Sequence, residues 1–77
     1  MKMYCISDNV DTAIGLKLTG IEAIVVEEKD EIEKEIKKIL ENENIGILII
    51  TQKIYETAKE RFDEIQEKLK MPLLVKI

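Results

Sequence analysis

The stretch Ile45-Gly-Ile-Leu-Ile-Ile-Thr51, followed at once by QKIYETAKERFDEIQEKLK (residues 52–70), decides the fold. Its first part is apolar at successive positions instead of alternating, and it is short and β-branched. That pattern marks Ile47–Thr51 as a strand covered on both faces, as in a parallel sheet. The second part switches period: Ile54, Ala58, Phe62, Ile65 and Leu69 recur at the helical repeat, with Lys59, Glu60, Asp63, Glu64 and Lys68 on the wet side. A helix over Ile54–Leu69 follows.

Outward from this pair the same alternation continues. Met3–Ser7, Ala23–Val26 and Leu73–Ile77 read as three more buried strands. Between the first two, Asn9 or Asp8 can cap a helix, Asp11 suits the positive end of its dipole, and Gly20 supplies a left-handed stop. Its stripe Val10, Ala13, Ile14 and Leu18 is expected to face inward, with Leu16 pointing away. Between the second and third strands, Asp30 is expected to cap a helix, with Glu33 completing a box, and Ile32, Ile36, Ile39 and Leu40 inward. The pairs Glu33/Lys37 and Glu64/Lys68 stand one turn apart in the favourable order.

The order βαβαβαβ, without a linker, repeat or low-complexity tract, predicts an α/β fold over residues 1–77 as a single domain. Its four-stranded parallel sheet has right-handed crossovers and the flavodoxin-like or receiver-like strand order 2-1-3-4. Handedness places the first helix on one face and the others on the opposite face, a three-layer arrangement. One helix of about two turns cannot cover four strands spaced ~4.8 Å apart, so one face is under-covered above the third and fourth strands. Contiguous exposed apolar surface of this kind marks partner sites. Leu48, Ile50, Leu74 and Ile77 are the expected contacts, and Leu16 is a second candidate.

Composition narrows the function. The 77 residues carry 16 acidic and 12 basic side chains, a net charge of −4, which disfavours nucleic acid because the basic residues do not cluster. No apolar run approaches the ~20 residues of a membrane span, and MKMYCISD meets an acid before a signal core forms, so a cytoplasmic location is expected. There is no histidine and one cysteine, so neither an ordinary zinc site nor a Ser-His or Cys-His pair can be assembled. The turn after the first strand is acidic at Asp8 and Asp11, and the spacing Gly15 to Gly20 falls inside and after a helix, which argues against a phosphate loop. No cofactor or metal is expected.

Two signalling chemistries compete. Asp8 matches the acidic corner of receiver domains, but Thr51 stands where their phosphorylated aspartate would end the third strand. Cys5 matches the phosphorylated cysteine of sugar-phosphotransferase components, yet Ile6 and acids follow it, with no cation to stabilise a thiolate. The bland reading of Cys5 is a small buried apolar residue.

ISDNVDTAIGLKLTGIEAIVVEE (residues 6–28) resembles the opening of the F subunit of V-type (archaeal/vacuolar-type) ATP synthases. The matching positions are Ser7, Asp8, Asp11 and Thr12 in the turn, then Gly15, Leu16, Leu18, Gly20 and Ile21 at the helix end. IGILIIT and KMPLLVKI (residues 70–77) are similar to the family's second half. Ser7 stands where that family has glycine and Leu16 where it has an aromatic residue. Family members also extend past the fourth strand into a mobile tail, whereas this chain ends at Ile77. The resemblance implies a noncatalytic central-stalk subunit that binds the coiled-coil D subunit, and also the C subunit at the membrane rotor. It would turn with them to couple ATP hydrolysis or synthesis to ion transport, in the cytoplasm, as a peripheral part of a membrane-bound complex. A receiver-like or phosphotransferase-like signalling domain is the alternative.

Overall fold

The computed structural model describes residues 1–77. Its elements run β1 (Lys2–Ser7), α1 (Val10–Leu18), β2 (Glu22–Val25), α2 (Lys29–Glu41), β3 (Ile45–Ile50), α3 (Gln52–Thr57), α4 (Lys59–Lys68) and β4 (Leu73–Lys76). All pairings are parallel and the strand order is β2-β1-β3-β4, as the sequence predicts.

Register assigns every strand residue to a face. Tyr4 lies beside Leu48 and Leu48 beside Leu74, while Cys5 lies beside Ile49 and Ile49 beside Val75. Residues alternate between faces along each strand, so Tyr4, Ile6, Leu48, Ile50 and Leu74 share one side. There they meet Ile32, Ile36 and Ile39 of α2, Ile54 of α3, and Phe62 and Ile65 of α4, forming the main core. The opposite side carries Met3, Cys5, Ser7, Ile47, Ile49, Leu73 and Val75, and α1 packs there on β1 and β2.

Five local expectations need correction. The long third helix is two, because Ala58 leaves helical geometry at φ −129° and ψ 41°. Thr57 Oγ1 donates to the Lys53 carbonyl at 2.8 Å, a back-bond that bends helices. The bend lets Tyr55 reach Asp63, with its hydroxyl donating at 2.6 Å. Residues eight apart on an unbroken helix would stand ~12 Å apart along the axis.

The second helix begins earlier than Asp30. Its N-cap is Glu28, whose backbone N–H donates to Glu31 Oε1 at 3.1 Å, so Asp30 falls in the first turn. Glu33 is drawn away from Lys37 to Arg61, whose Nε donates to it at 2.9 Å and ties α2 to α4. Glu64 and Lys68 do pair, at 3.5 Å.

Three of the four residues of the expected α1 stripe turn outward. Val10, Ile14 and Leu18 are 58%, 51% and 83% exposed, while Ala13 is buried and Leu16 is half-buried. The turn into the helix sets its rotation: Ser7 Oγ donates to the Asn9 carbonyl and accepts from the Asn9 N–H, and Asn9 Oδ1 caps the Thr12 N–H at 2.9 Å. Small Ala13 can then approach the floor made by Cys5, Ser7 and Ile49, all buried. At the far end Gly20, at φ +89°, closes a Schellman turn in which Ile21 N–H donates to Leu16 O and Gly20 N–H to Lys17 O.

The bare part of the sheet lies on the α1 side, so the expected contacts had the wrong strand parity. Leu48 and Ile50 are 1% and 0% exposed, sealed under α2, α3 and α4, and Leu74 is half-buried on that same side. Ile77 is exposed, as expected.

Candidate functional site

Two places could carry function: the crevice at the carboxyl ends of the strands, where open α/β sheets bind ligands, and the uncovered half of the α1-side face. The crevice is a hollow of about 320 Å³ lined by Asp8, Glu27, Glu28, Lys53, Ile54 and Thr57. Three carboxylates against one ammonium make it hostile to a phosphate. The Asp8 carboxylate is already engaged. Thr51 Oγ1 donates to Asp8 Oδ1 at 2.5 Å and accepts the Asp8 N–H at 3.4 Å, which bolts the end of β1 to the start of α3. Thr51 itself is buried as the N-cap position of α3. A hydroxyl in that place offers no carboxylate for receiver-type phosphorylation.

Cys5 lies fully buried in mid-strand beneath α1, and burial pushes its thiol up to about 11. At neutral pH it is a protonated small apolar residue and a poor nucleophile. Phosphotransferase chemistry would require an exposed thiolate, which this position denies.

The α1-side face is different. Cys5, Ser7 and Ile49 are buried on this side, and α1 packs over β1 and β2. Beyond it lie Met3, Ile47, Leu73, Val75 and Ile77, with Leu73 60% and Ile77 55% exposed. None of these side chains carries a charge. Lys76, the one charge on β4, points to the other side, where its ammonium stands 4.2 Å from the centre of the Tyr55 ring. The edge therefore lacks the charged guard that usually protects an exposed strand. An apolar floor of two strands beside an α1 ridge is suited to protein contact, not to covalent chemistry.

Of the expected interface residues, the structure brings only Ile77 onto this floor. Leu16 sits half-buried in α1, and Leu48, Ile50 and Leu74 belong to the helix-clad side. Sequence reasoning missed Met3, Ile47, Leu73 and Val75. The signal was present in β1, where small Cys5 and Ser7 alternate with large Tyr4 and Ile6. Small residues let a helix lie close, so the odd-numbered side belongs to α1, and pairing carries that parity into β3 and β4.

It also missed Glu35. This carboxylate lies on the buried side of α2, 6% exposed, and accepts the Tyr4 hydroxyl at 2.9 Å and Lys38 Nζ at 3.3 Å. Burial first, and the adjoining Glu35 second, hold the Tyr4 phenol well above its ordinary range.

Comparison with known proteins bears on this geometry. Residues 3–77 match the family of the ATP synthase (F/14-kDa) subunit. The F subunit of the A-type ATP synthase of Methanocaldococcus jannaschii is 35% identical over 68 residues, covering 87% of this chain and 68% of that protein. Its counterpart in Methanothermobacter thermautotrophicus is 32% identical over 68 residues, covering 87% and 63%. The chain thus spans about two thirds of the length of these curated relatives. The F subunit of the V-type ATP synthase of Archaeoglobus fulgidus, in its crystal structure, superposes with a TM-score of 0.76 at 26% identity, over 99% of this chain and 95% of that one. Matched in sequence across nearly all its residues and in fold across the whole sheet, the chain belongs to the family of the ATP synthase (F/14-kDa) subunit, a noncatalytic component of that complex.

Proposed function

We propose that this chain acts as a central-stalk subunit of an A/V-type rotary ATP synthase. In this reading it binds the coiled-coil D subunit, turns with it, and helps to couple ATP hydrolysis or synthesis to ion transport. The C subunit at the membrane rotor is a further neighbour. No helix is long and apolar enough to cross a membrane. The chain would then be held peripherally, on the cytoplasmic side, by its protein contacts.

The observation that carries this reading is the exposed apolar half-face formed by Met3, Leu73, Val75 and Ile77, with half-buried Ile47 beside them. A stalk component needs a rigid body and a grip. The helix-clad side supplies the first, and this floor supplies the second. Binding there buries apolar side chains already fixed by the sheet, so little conformational entropy is lost on association.

The test is co-purification with a D-type coiled coil from an A/V-type ATP synthase. A stable complex, lost on Val75→Asp while the fold persists by circular dichroism, is the expected result. Failure of the wild-type chain to bind any such coiled coil would remove the reading. Incubation with acetyl phosphate separates it from signalling chemistry: no covalent phosphate on Asp8 or Cys5 is expected.

A further inference from the structure

The helical segment after β3 has a pattern that conflicts with its shape. On one continuous helix, turning about 100° per residue, Ile54, Ala58, Phe62, Ile65 and Leu69 would fall within about 80° of each other and all face the sheet. The chain instead breaks at Ala58, which leaves Leu69 outside α4 and 44% exposed. Contacts of Tyr55 hold the broken form. Its hydroxyl donates to Asp63 Oδ1 at 2.6 Å, and the Lys76 ammonium of β4 stands 4.2 Å from the centre of its ring. Lys59 Nζ, 3.4 Å from Asp63, completes the cluster. The Tyr55 hydroxyl above all, and Lys59 with it, keep the Asp63 carboxyl below its ordinary range.

We infer that the α3–α4 joint is a two-state latch: closed, it is bent at Ala58 with Tyr55 held between Asp63 and Lys76; open, residues 52–69 form one helix and β4 loses its tie to α3. The two states exclude one another. On a single helix Tyr55 and Asp63 stand ~12 Å apart along the axis, out of hydrogen-bond reach. The core does not choose between them, because Ile54, Ala58, Phe62 and Ile65 are buried in the bent form and share the inward stripe of the straight one. Opening regularises the backbone at Ala58 and draws Leu69 onto the sheet, whereas closing gains the Tyr55 contacts. Opposed terms of this kind make a segment bistable.

The strand that senses the latch is β4. It is a four-residue edge strand paired with β3 alone, and a short connection joins it to Leu69. Lys76 reaches the helix-clad side, while Leu73 and Val75 lie on the opposite, exposed side. A displacement of β4 from the exposed side therefore draws Lys76 off the Tyr55 ring and loosens the latch, and winding Leu69 into a longer helix pulls on β4 in return. An event on one face of the sheet is reported on the other. There the hollow of about 590 Å³ at the bend, lined by Glu56, Thr57, Lys59 and Arg61 with Lys29 and Glu33 of α2, changes shape as the joint straightens. Tyr55 and Asp63 are half-buried, so their bond biases the two forms severalfold and does not lock either.

The latch lies wholly within this chain and does not rest on the stalk reading, so it is tested without a partner. The measurement is solution NMR of the full chain, reading the Cα chemical shift of Ala58 and the exchange of the Lys59 and Glu60 amides. In the wild type the Ala58 shift is expected outside the helical range. Tyr55→Phe, which keeps the ring, and Asp63→Ala should each move it toward helical values and slow exchange of both amides severalfold, with Glu67→Ala without effect. Lys76→Met, which removes the cation from the ring, should move Ala58 in the same direction by a smaller amount. A wild-type Ala58 already at helical values, or an Ala58 unmoved by either Tyr55→Phe or Asp63→Ala, would overturn the latch. An Ala58 unmoved by Lys76→Met would overturn its coupling to β4.

Discussion

The two faces of this sheet are made by the same strands, yet one is closed and the other half open. On the helix-clad side, three helices drive Ile32, Ile36, Ile39, Ile54, Phe62 and Ile65 onto Ile6, Leu48 and Ile50, and nearly all of that surface leaves water. On the α1 side a single nine-residue helix packs on β1 and β2 and leaves Leu73, Val75 and Ile77 wet. The difference separates two jobs. Stability is concentrated on the first face, and the second is free to be spent on contacts with other proteins. Substitutions should therefore divide by face, and the size of each effect should follow cover and not hydrophobicity alone.

The largest effect belongs to Phe62, fully buried at the centre of the clad side. Phe62→Ala should cost about 3–5 kcal/mol, the transfer term plus a cavity that helices on a rigid sheet cannot collapse to fill. A small domain has roughly 5–15 kcal/mol in total, so the urea midpoint should fall steeply. A change below about 1 kcal/mol would mean that the clad face is not the main source of stability.

Next comes the one buried carboxylate on that side. Tyr4→Phe leaves Glu35 buried with Lys38 as its remaining partner, at an expected cost of about 1–3 kcal/mol. A double-mutant cycle with Glu35→Gln isolates the bond, and coupling near zero would show that Tyr4 acts through packing alone.

The covered half of the open face has a pH signature. Burial raises Cys5 from an ordinary value near 9 to about 11, so the folded state retains a proton that the unfolded chain releases. Stability from this group is complete below pH 9 and is lost as pH rises from 9 to about 11, and Tyr4, raised in the same direction, extends the loss further. Cys5→Ser should flatten the first part of that decline. Thiol reagents should label the native protein only as fast as it opens, and rapid labelling would show that α1 does not seal this half.

The contrast between faces also explains what the sequence disclosed. Strand order, the face of the sheet each helical segment takes and the Asn9 cap were legible because period and turn chemistry are local signals. Strand parity in β3 was not: IGILII is apolar at every position, so nothing within it distinguishes Leu48 from Ile49. Only pairing to β1, where residue size alternates, fixes which side each takes. The rotation of α1 was misread for a related reason. Val10, Ile14 and Leu18 form the more apolar stripe, but Ala13 is the residue small enough to touch the floor, and the Ser7–Asn9 turn sets the helix down on it. Glu35 was hidden because its Tyr4 partner stands 31 positions away.

The smallest effect is the most telling about the open half. Leu73 is as apolar as Leu48, but it is 60% exposed where Leu48 is 1% exposed. Leu48→Ala should cost about 2–5 kcal/mol, whereas Leu73→Ser should stay within about 0.5 kcal/mol, because the native state already leaves most of that side chain in water and no cavity can form. Thermal unfolding of the two variants in one buffer makes the comparison. A loss at Leu73 rivalling that at Leu48 would mean that this face is covered in the isolated chain, and a surface already satisfied within the fold has no free energy left to offer a partner.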